Sequence, residues 1–375
     1  VTDAPTRTVF ADDTARAWVD VDLDALVENA RTIARLTGRP LLPMVKANGY
    51  GIGTAAAACA LERLDPWGYG VATVAEGAEL RRAGIRRPIV VFTPLLADAA
   101  PAYVAEGLRP VVGSAESLAG WRAVAGEQPF HLEIDTGMSR GGVRWDDAGG
   151  LDALVPLLGA AGWEGVFTHF HSADCEPPSC AVQWARFERV LARLASAAPI
   201  RPPLVHAANS AAAMQGERFA ADLVRPGIFL YGVRCGGEAP KPVLTVRARI
   251  VALRRLGPGD TVGYGGTWRA ERETTIATLG IGYADGLPRA LSNRGMVAIR
   301  GRLAPIVGRV TMDMTMVAVP DDVAGVVAPG EIVTVLGGRV DPEAQAARAG
   351  TIPYELFTAL GPRLPRRYAA EGADR

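Results

Sequence analysis

Only two of the forty basic residues are lysine, Lys46 and Lys241; the rest are arginine. A lysine that stays in such a chain is a candidate for chemistry closed to guanidinium. It can lose its proton and condense with a carbonyl. Lys241 lies in EAPKPV, a Pro-flanked polar loop that reads as plain surface. Lys46 ends the apolar run LLPMVK, where a surface lysine is the weaker reading. Other groups fit for acid–base or anion chemistry stand in short motifs. These are Arg140 in DTGMSRGG, His169 in THFHSAD, His206, Asn209 and Ser210 in HAANSAA, and Arg225 and Gly227 in RPGIFLYG. A lone histidine at a strand end is more often a satisfied structural group. Ser210 offers a hydroxyl, and Gly227 lets backbone N–H groups approach an anion. Turn chemistry alone would also explain that glycine.

The elements that must position these residues follow a rhythm. Apolar runs fall at 41–46, 68–72, 88–93, 108–112, 130–135, 163–169, 203–207 and 223–229. Helical stretches such as VAEGAELRRAG, AESLAGWRAVAG and CAVQWARFERVLARLASA separate most of them, and 20–37 reads as a helix before the first. Eight such units in about 200 residues predict an α/β fold, a (β/α)8 TIM-like barrel; a doubly wound open sheet is the alternative. In a barrel, chemistry sits at the C-terminal strand ends, and Lys46, Arg140, His169, His206, Asn209, Ser210, Arg225 and Gly227 fall at or just beyond them. The exits of strands seven and eight are a frequent phosphate site. A lysine across the mouth from such a site is what pyridoxal 5′-phosphate requires. Near residue 243 the rhythm changes: VLTVRARIVALRRL alternates at Val246, Ala248, Ile250 and Ala252, and short strands with glycine turns follow. The expected division is a barrel over 1–242 and a mainly β domain over 243–375.

With 375 residues, 49% of them hydrophobic, the chain can hold two domains with sizeable cores. Forty acidic residues balance the basic ones, which speaks against a nucleic-acid or membrane-surface partner. No long uncharged apolar stretch suggests a membrane span, and the N-terminal segment lacks an apolar signal core. Cys59, Cys175, Cys180 and Cys235 form no CxxC pair. A reducing, cytoplasmic location is expected.

MVKANGYGIG resembles the cofactor-lysine signature of alanine racemases. The likeness continues through IDTGMSRGG, THF, HAANSAA, RPGIFLYG, VGYGGTW, IGYADGLPR, GRVTMDM and PYEL, in the family's order. The resemblance implies a pyridoxal-phosphate racemase acting on alanine, with no metal, working as a homodimer with shared active sites. Lys46 resembles the lysine that holds the cofactor and serves one face of the substrate. Tyr264 resembles the base for the opposite face, supplied by the second subunit. Arg225 resembles the arginine at the pyridine nitrogen. Tyr50, Ser210, Gly227, Ile228 and Tyr354 resemble the phosphate contacts, and His169 and Asn209 the polar groups near the cofactor ring. Arg140 and Met312 resemble the substrate-carboxylate contacts. Tyr283 and Tyr354 resemble the pair that narrows the entrance.

The chemistry agrees. Racemisation takes a Cα proton from one face and returns one to the other, and two bases do this without turning the substrate over. Lysine and tyrosine both titrate near 10 in isolation, so a cationic neighbourhood must lower them. Arginine holds its proton, which keeps a pyridine beside it a weaker electron sink and disfavours side reactions such as transamination. Some positions depart from the commonest family pattern. Ile52 replaces a histidine, His171 a small residue, and Thr311 a cysteine or serine. Glu133 stands where many members carry a carbamylated lysine; its carboxylate is expected to pair with Arg140 and orient it. A broader or serine-directed racemase is the alternative within the family. A non-catalytic cofactor carrier would lack the β domain, and a decarboxylase would place a carboxylate where Arg225 stands.

Overall fold

The computed structural model describes residues 14–368 apart from 160, 177 and 198–203. The N-terminal segment read for a signal sequence lies, as far as Asp13, outside the described residues. The chain forms two compact units: residues 24–241, and residues from Pro242 onward together with those before Asp24.

In the first unit, six parallel strands follow one another as neighbours: Tyr69–Val71, Ile89–Pro94, Arg109–Val112, Phe130–Asp135, Trp163–Phe167 and Leu204–His206. Parallel bridges Met44–Gly70, Leu41–Val224 and His206–Leu223 close the ring through residues 41–44 and 223–224. These are the first and eighth strands of a (β/α)8 barrel. The first is reduced to bridges because Pro43 has no N–H to donate; its carbonyl still accepts from Gly70 N at 2.9 Å. Helices between strands start on local caps. Thr73 and Glu76 form a capping box ahead of Val74–Arg82, as do Ser114 and Ser117 ahead of Ala115–Ala125. Leu42, Val90, Val111, Phe167 and Leu223, all buried, fill the interior from different strands. Such a core is packed, not a pore.

The second unit is built on the strand Leu244–Leu256. It pairs antiparallel with Ala17–Val21, Thr274–Leu279 and Ile332–Leu336. Ala17–Val21 also runs parallel to Arg366–Tyr368. The described residues 14–23 therefore belong to the β unit, and the expected 1–242 barrel loses them. AWVDV is a β-rich strand segment whose side chains are nearly all buried, and the helix expected from residue 20 starts at Leu23. The period-two reading of Leu244–Leu256 holds through Ile250, all of whose even-numbered positions are buried. It fails at Ala252, which is exposed beside a register shift at Thr278–Leu279. Among the described residues no helix is long and apolar enough to cross a membrane.

Candidate active site

Lys46 follows directly on the first barrel strand, where Val45 N donates to Gly70 O at 2.9 Å. The chain then turns left-handed: Ala47, Asn48, Gly49 and Tyr50 have φ of 54°, 55°, 57° and 50°. That conformation costs an L-residue other than glycine about 1–2 kcal/mol. Glu76 secures the turn, accepting from Ala47 N at 2.7 Å with one oxygen and from Ala72 N at 2.7 Å with the other. Lys46 itself is half-buried. Burial, then Arg140 and Arg225, lower its pKa against the opposing pull of Glu76. A lowered lysine pKa enlarges the uncharged, nucleophilic fraction at neutral pH.

The turn delivers Tyr50 into the barrel, stacked on Tyr231 with centroids 4.4 Å apart. Burial raises the Tyr50 pKa, so it acts as a neutral O–H. Its hydroxyl oxygen lies 2.5 Å from where a Cβ on Gly227 would stand, so glycine at 227 makes room for that hydroxyl. Ser210 Oγ accepts from Gly227 N at 2.8 Å and from Phe229 N at 3.4 Å. Asn209 caps Ser210–Ala213 by accepting from Ala212 N at 3.0 Å, and Ile228 opens the turn Ile228–Tyr231. The hydroxyls of Tyr50 and Ser210 thus both border Gly227, which carries no side chain. This suits an oxyanion, which wants donors and little bulk.

Arg225 is buried, and burial lowers its pKa to about 9, still charged at neutral pH. Its guanidinium donates to Thr168 O at 2.9 Å, Ala207 O at 3.0 Å and His206 Nδ1 at 2.8 Å, and lies 3.4 Å from His169 Nδ1. Burial, with Arg225, Arg140 and Lys46, holds the His169 pKa down to about 3, so its ring is a neutral dipole. Arg140 is exposed. Glu133 is buried and packs under Gly141 and Gly142; what the structure corrects is the expected pairing with Arg140. Arg140 and Arg225 act on it electrostatically, but among the described residues no ion pair within 4.0 Å joins it to Arg140. Burial outweighs both cations and raises its pKa.

Tyr264, Tyr283, Met312 and Tyr354 belong to the β unit and are exposed there; Tyr264 is 71% exposed. Within that unit Tyr283 N donates to Thr311 O, and Ala284 N to Met312 O, both at 3.0 Å. The sequence reading missed the groups that fix this junction. Buried Asp285 accepts from Arg16 at 2.8 Å, and Arg16 also donates to Asp313 O at 2.7 Å. Neither Arg16 nor Asp285 stands out in the sequence, although the Asp after Tyr-Ala in IGYADG could have been read as a turn-closing carboxylate. Glu76 and Gln183 were missed in the barrel too. Gln183 donates to His169 O at 3.0 Å and accepts from His171 N at 3.0 Å, which fixes the backbone on both sides of Phe170. The His171 ring itself is exposed and bonds Ser172.

The chain matches the model of the alanine racemase N-terminal domain over residues 21–235 and that of the C-terminal domain over 243–368. It is 41% identical to the alanine racemase of Symbiobacterium thermophilum, covering 95% of this chain and 98% of the relative. An alanine racemase structure from Clostridium difficile 630 superposes with a TM-score of 0.90 at 29% identity, covering 96% of this chain and 97% of that one. The alanine racemase from Bartonella henselae, solved with covalently bound pyridoxal phosphate, gives a TM-score of 0.86 at 32% identity over 95% and 100% of the two chains.

Proposed function

The chain belongs to the alanine racemase family of isomerases, and we propose that it interconverts L- and D-alanine with pyridoxal phosphate, using Lys46 and Tyr264 as the two bases. The observation that carries this reading is Lys46: a half-buried lysine of lowered pKa at a barrel strand end, within the electrostatic reach of Arg225, Arg140 and His169. The site fits the cofactor by its chemistry. A lysine amine of lowered pKa suits its aldehyde, and the hydroxyls of Tyr50 and Ser210 bordering Gly227 suit its phosphate. Arg225 suits its ring nitrogen.

Bound there, pyridoxal phosphate withdraws electrons from the substrate Cα and makes its proton removable. The remaining work is the protein's. Lys46 holds the cofactor covalently, and its Nζ takes or returns a proton on one face. The phenol oxygen of Tyr264, contributed by a second copy of the chain, does so on the other. Arg140 and Met312 receive the substrate carboxylate, with Tyr283 and Tyr354 narrowing the way in and Tyr354 adding a phosphate contact. Ile228, Asn209 and His169 complete the cofactor surroundings. Arg225 keeps its proton at neutral pH and so gives the ring nitrogen a hydrogen bond without protonating it. The balanced charge suits a cytoplasmic enzyme. The test is an alanine racemisation assay alongside an absorption spectrum. Turnover of alanine, with a near-visible band abolished by borohydride, is the expected result. Serine turned over as fast as alanine would favour the broader racemase, and no turnover of either would refute the reading.

A further inference from the structure

Behind Arg225 a chain of polar side chains threads the apolar barrel interior. Arg225 is 2.8 Å from His206 Nδ1, and His206 Nε2 is 2.8 Å from His131 Nδ1. His131 Nε2 is 3.2 Å from Glu164 Oε2, which Arg109 Nε also reaches at 3.2 Å. Both histidines are fully buried, and His206 stacks on Phe167 with centroids 5.0 Å apart. Glu164 is the second residue of Trp163–Phe167, so it lies toward the N-terminal end of the barrel, away from the rim that carries the site. From this geometry we infer that Glu164 is a positioning residue for Arg225, acting through His131 and His206 to fix the direction of every proton in the chain.

The argument is one of donors and acceptors. Guanidinium has five donors and no acceptor. His206 Nδ1 therefore accepts and carries no hydrogen. Its Nε2 then carries one and donates to His131 Nδ1, which must be bare. His131 Nε2 carries the remaining hydrogen and donates to Glu164. Glu164, an ionised carboxylate, can only accept, so it ends the chain with the right polarity. Both histidines are neutral, in agreement with burial lowering both pKa values. Burial pushes the Glu164 pKa up, but the His131 bond and the charge of Arg109 more than offset it, which keeps the carboxylate ionised. Without an acceptor at 164, His131 gains by turning its hydrogen to Nδ1. That hydrogen would face the one on His206 Nε2, and reversing His206 in turn would point an N–H at Arg225. In a dry interior such a donor–donor contact is not tolerated, so Arg225 would shift from the place the ring nitrogen needs. This inference rests on the assignment of Arg225 above.

The experiment is nitrogen NMR of the histidine-labelled holoenzyme, in which only four histidines contribute, on the parent, Glu164→Gln and Glu164→Leu. The amide oxygen of glutamine can accept from His131, so Glu164→Gln should keep both rings in the Nε2–H form and hold kcat within about threefold of the parent. Glu164→Leu should move His131 and His206 out of that form, shift the cofactor absorption band and lower kcat about ten- to hundredfold, the cost of an unsatisfied buried donor, with KM changing less. The parent spectrum decides the matter even if Glu164→Leu does not fold. An Nδ1–H or doubly protonated ring at either His131 or His206 would overturn the inference. So would a folded Glu164→Leu protein with both tautomers, absorption band and kcat unchanged. The ring states are read independently of turnover, so an inactive parent would count against the racemase reading and leave this inference to the tautomers.

Discussion

At the scale of single residues, the charged groups Lys46, Glu133 and Arg225 stand in partly or wholly buried places. The pKa of Lys46 is lowered by its burial and by two arginines, and the ability to lose its proton is what separates it from arginine at the same position. Lys46→Arg would keep the charge and lose covalent attachment of the cofactor, since guanidinium is a poor nucleophile near neutral pH. Turnover should fall by at least about 10²–10⁴-fold, the usual worth of a placed acid–base group, and the borohydride-sensitive band should vanish. Retention of both would remove Lys46 from the mechanism. Glu133 works in the opposite sense. Its carboxyl titrates above the ordinary value of 4.5 because burial outweighs Arg140 and Arg225. Stability drawn from the neutral carboxyl is present below that ordinary value and lost as pH rises through the elevated one. Glu133→Gln should therefore raise the unfolding midpoint at pH 7, by something on the order of a few °C, and the gain should close as pH falls toward 4. The same variant should raise KM, because the anion acting on Arg140 is gone. Thermal melts across this pH range, with steady-state kinetics, test both halves. A Gln protein less stable than the parent at pH 7 would mean that Glu133 is held as a stabilising ion after all.

At the scale of elements, the barrel strands bring distant motifs to one rim. The left-handed turn 47–50 fits closely against the exit of strand eight. A Cβ at position 227 would stand 2.5 Å from the Tyr50 hydroxyl and 3.6 Å from Met44 Cβ. Gly227→Ala should therefore push Tyr50 aside, cost about 1–3 kcal/mol by overpacking and weaken cofactor retention more than folding. Dialysis of the holoenzyme followed by its absorbance would show this, and an Ala variant that keeps its cofactor would mean that the Tyr50–Gly227 approach is not part of the phosphate cradle. Most of this rim was legible in the sequence, because parallel strands buried on both faces read as apolar runs and their exits carry the polar residues. Two parts were not. The strand Ala17–Val21, whose end the helix expected over 20–37 overlaps, does not announce itself because its strand partners are 244–248 and 366–368, far along the chain. The supporting groups Glu76, Gln183, Glu164, Arg16 and Asp285 were invisible because each acts on backbone or on another side chain, through contacts that no local spacing announces.

At the scale of the whole molecule, the two units carry complementary parts of the proposed machinery. The barrel unit holds the lysine and the anion cradle. The β unit exposes Tyr264 beside a groove lined by Val251, Thr311, Met314 and Met316, of which Val251 and Met314 are themselves exposed. An exposed apolar surface around a polar tip is characteristic of a protein–protein contact, and a second copy of this chain is the partner proposed. A two-fold dimer would place each Tyr264 in the site of the other subunit, so that every active site draws on two chains. Lys46→Ala and Tyr264→Phe should each be inactive alone. Mixed under conditions that allow subunit exchange, they form heterodimers in which one site carries both lesions and the other carries neither. Random re-pairing makes about half of the dimers mixed, each with one intact site of two, so activity should return to about a quarter of the parent value. A chain that completed its own site would behave differently: both variants would stay inactive in every pairing. Recovered activity is therefore the signature of sharing, and its absence, with exchange demonstrated by mass spectrometry of labelled subunits, would place both bases within one chain.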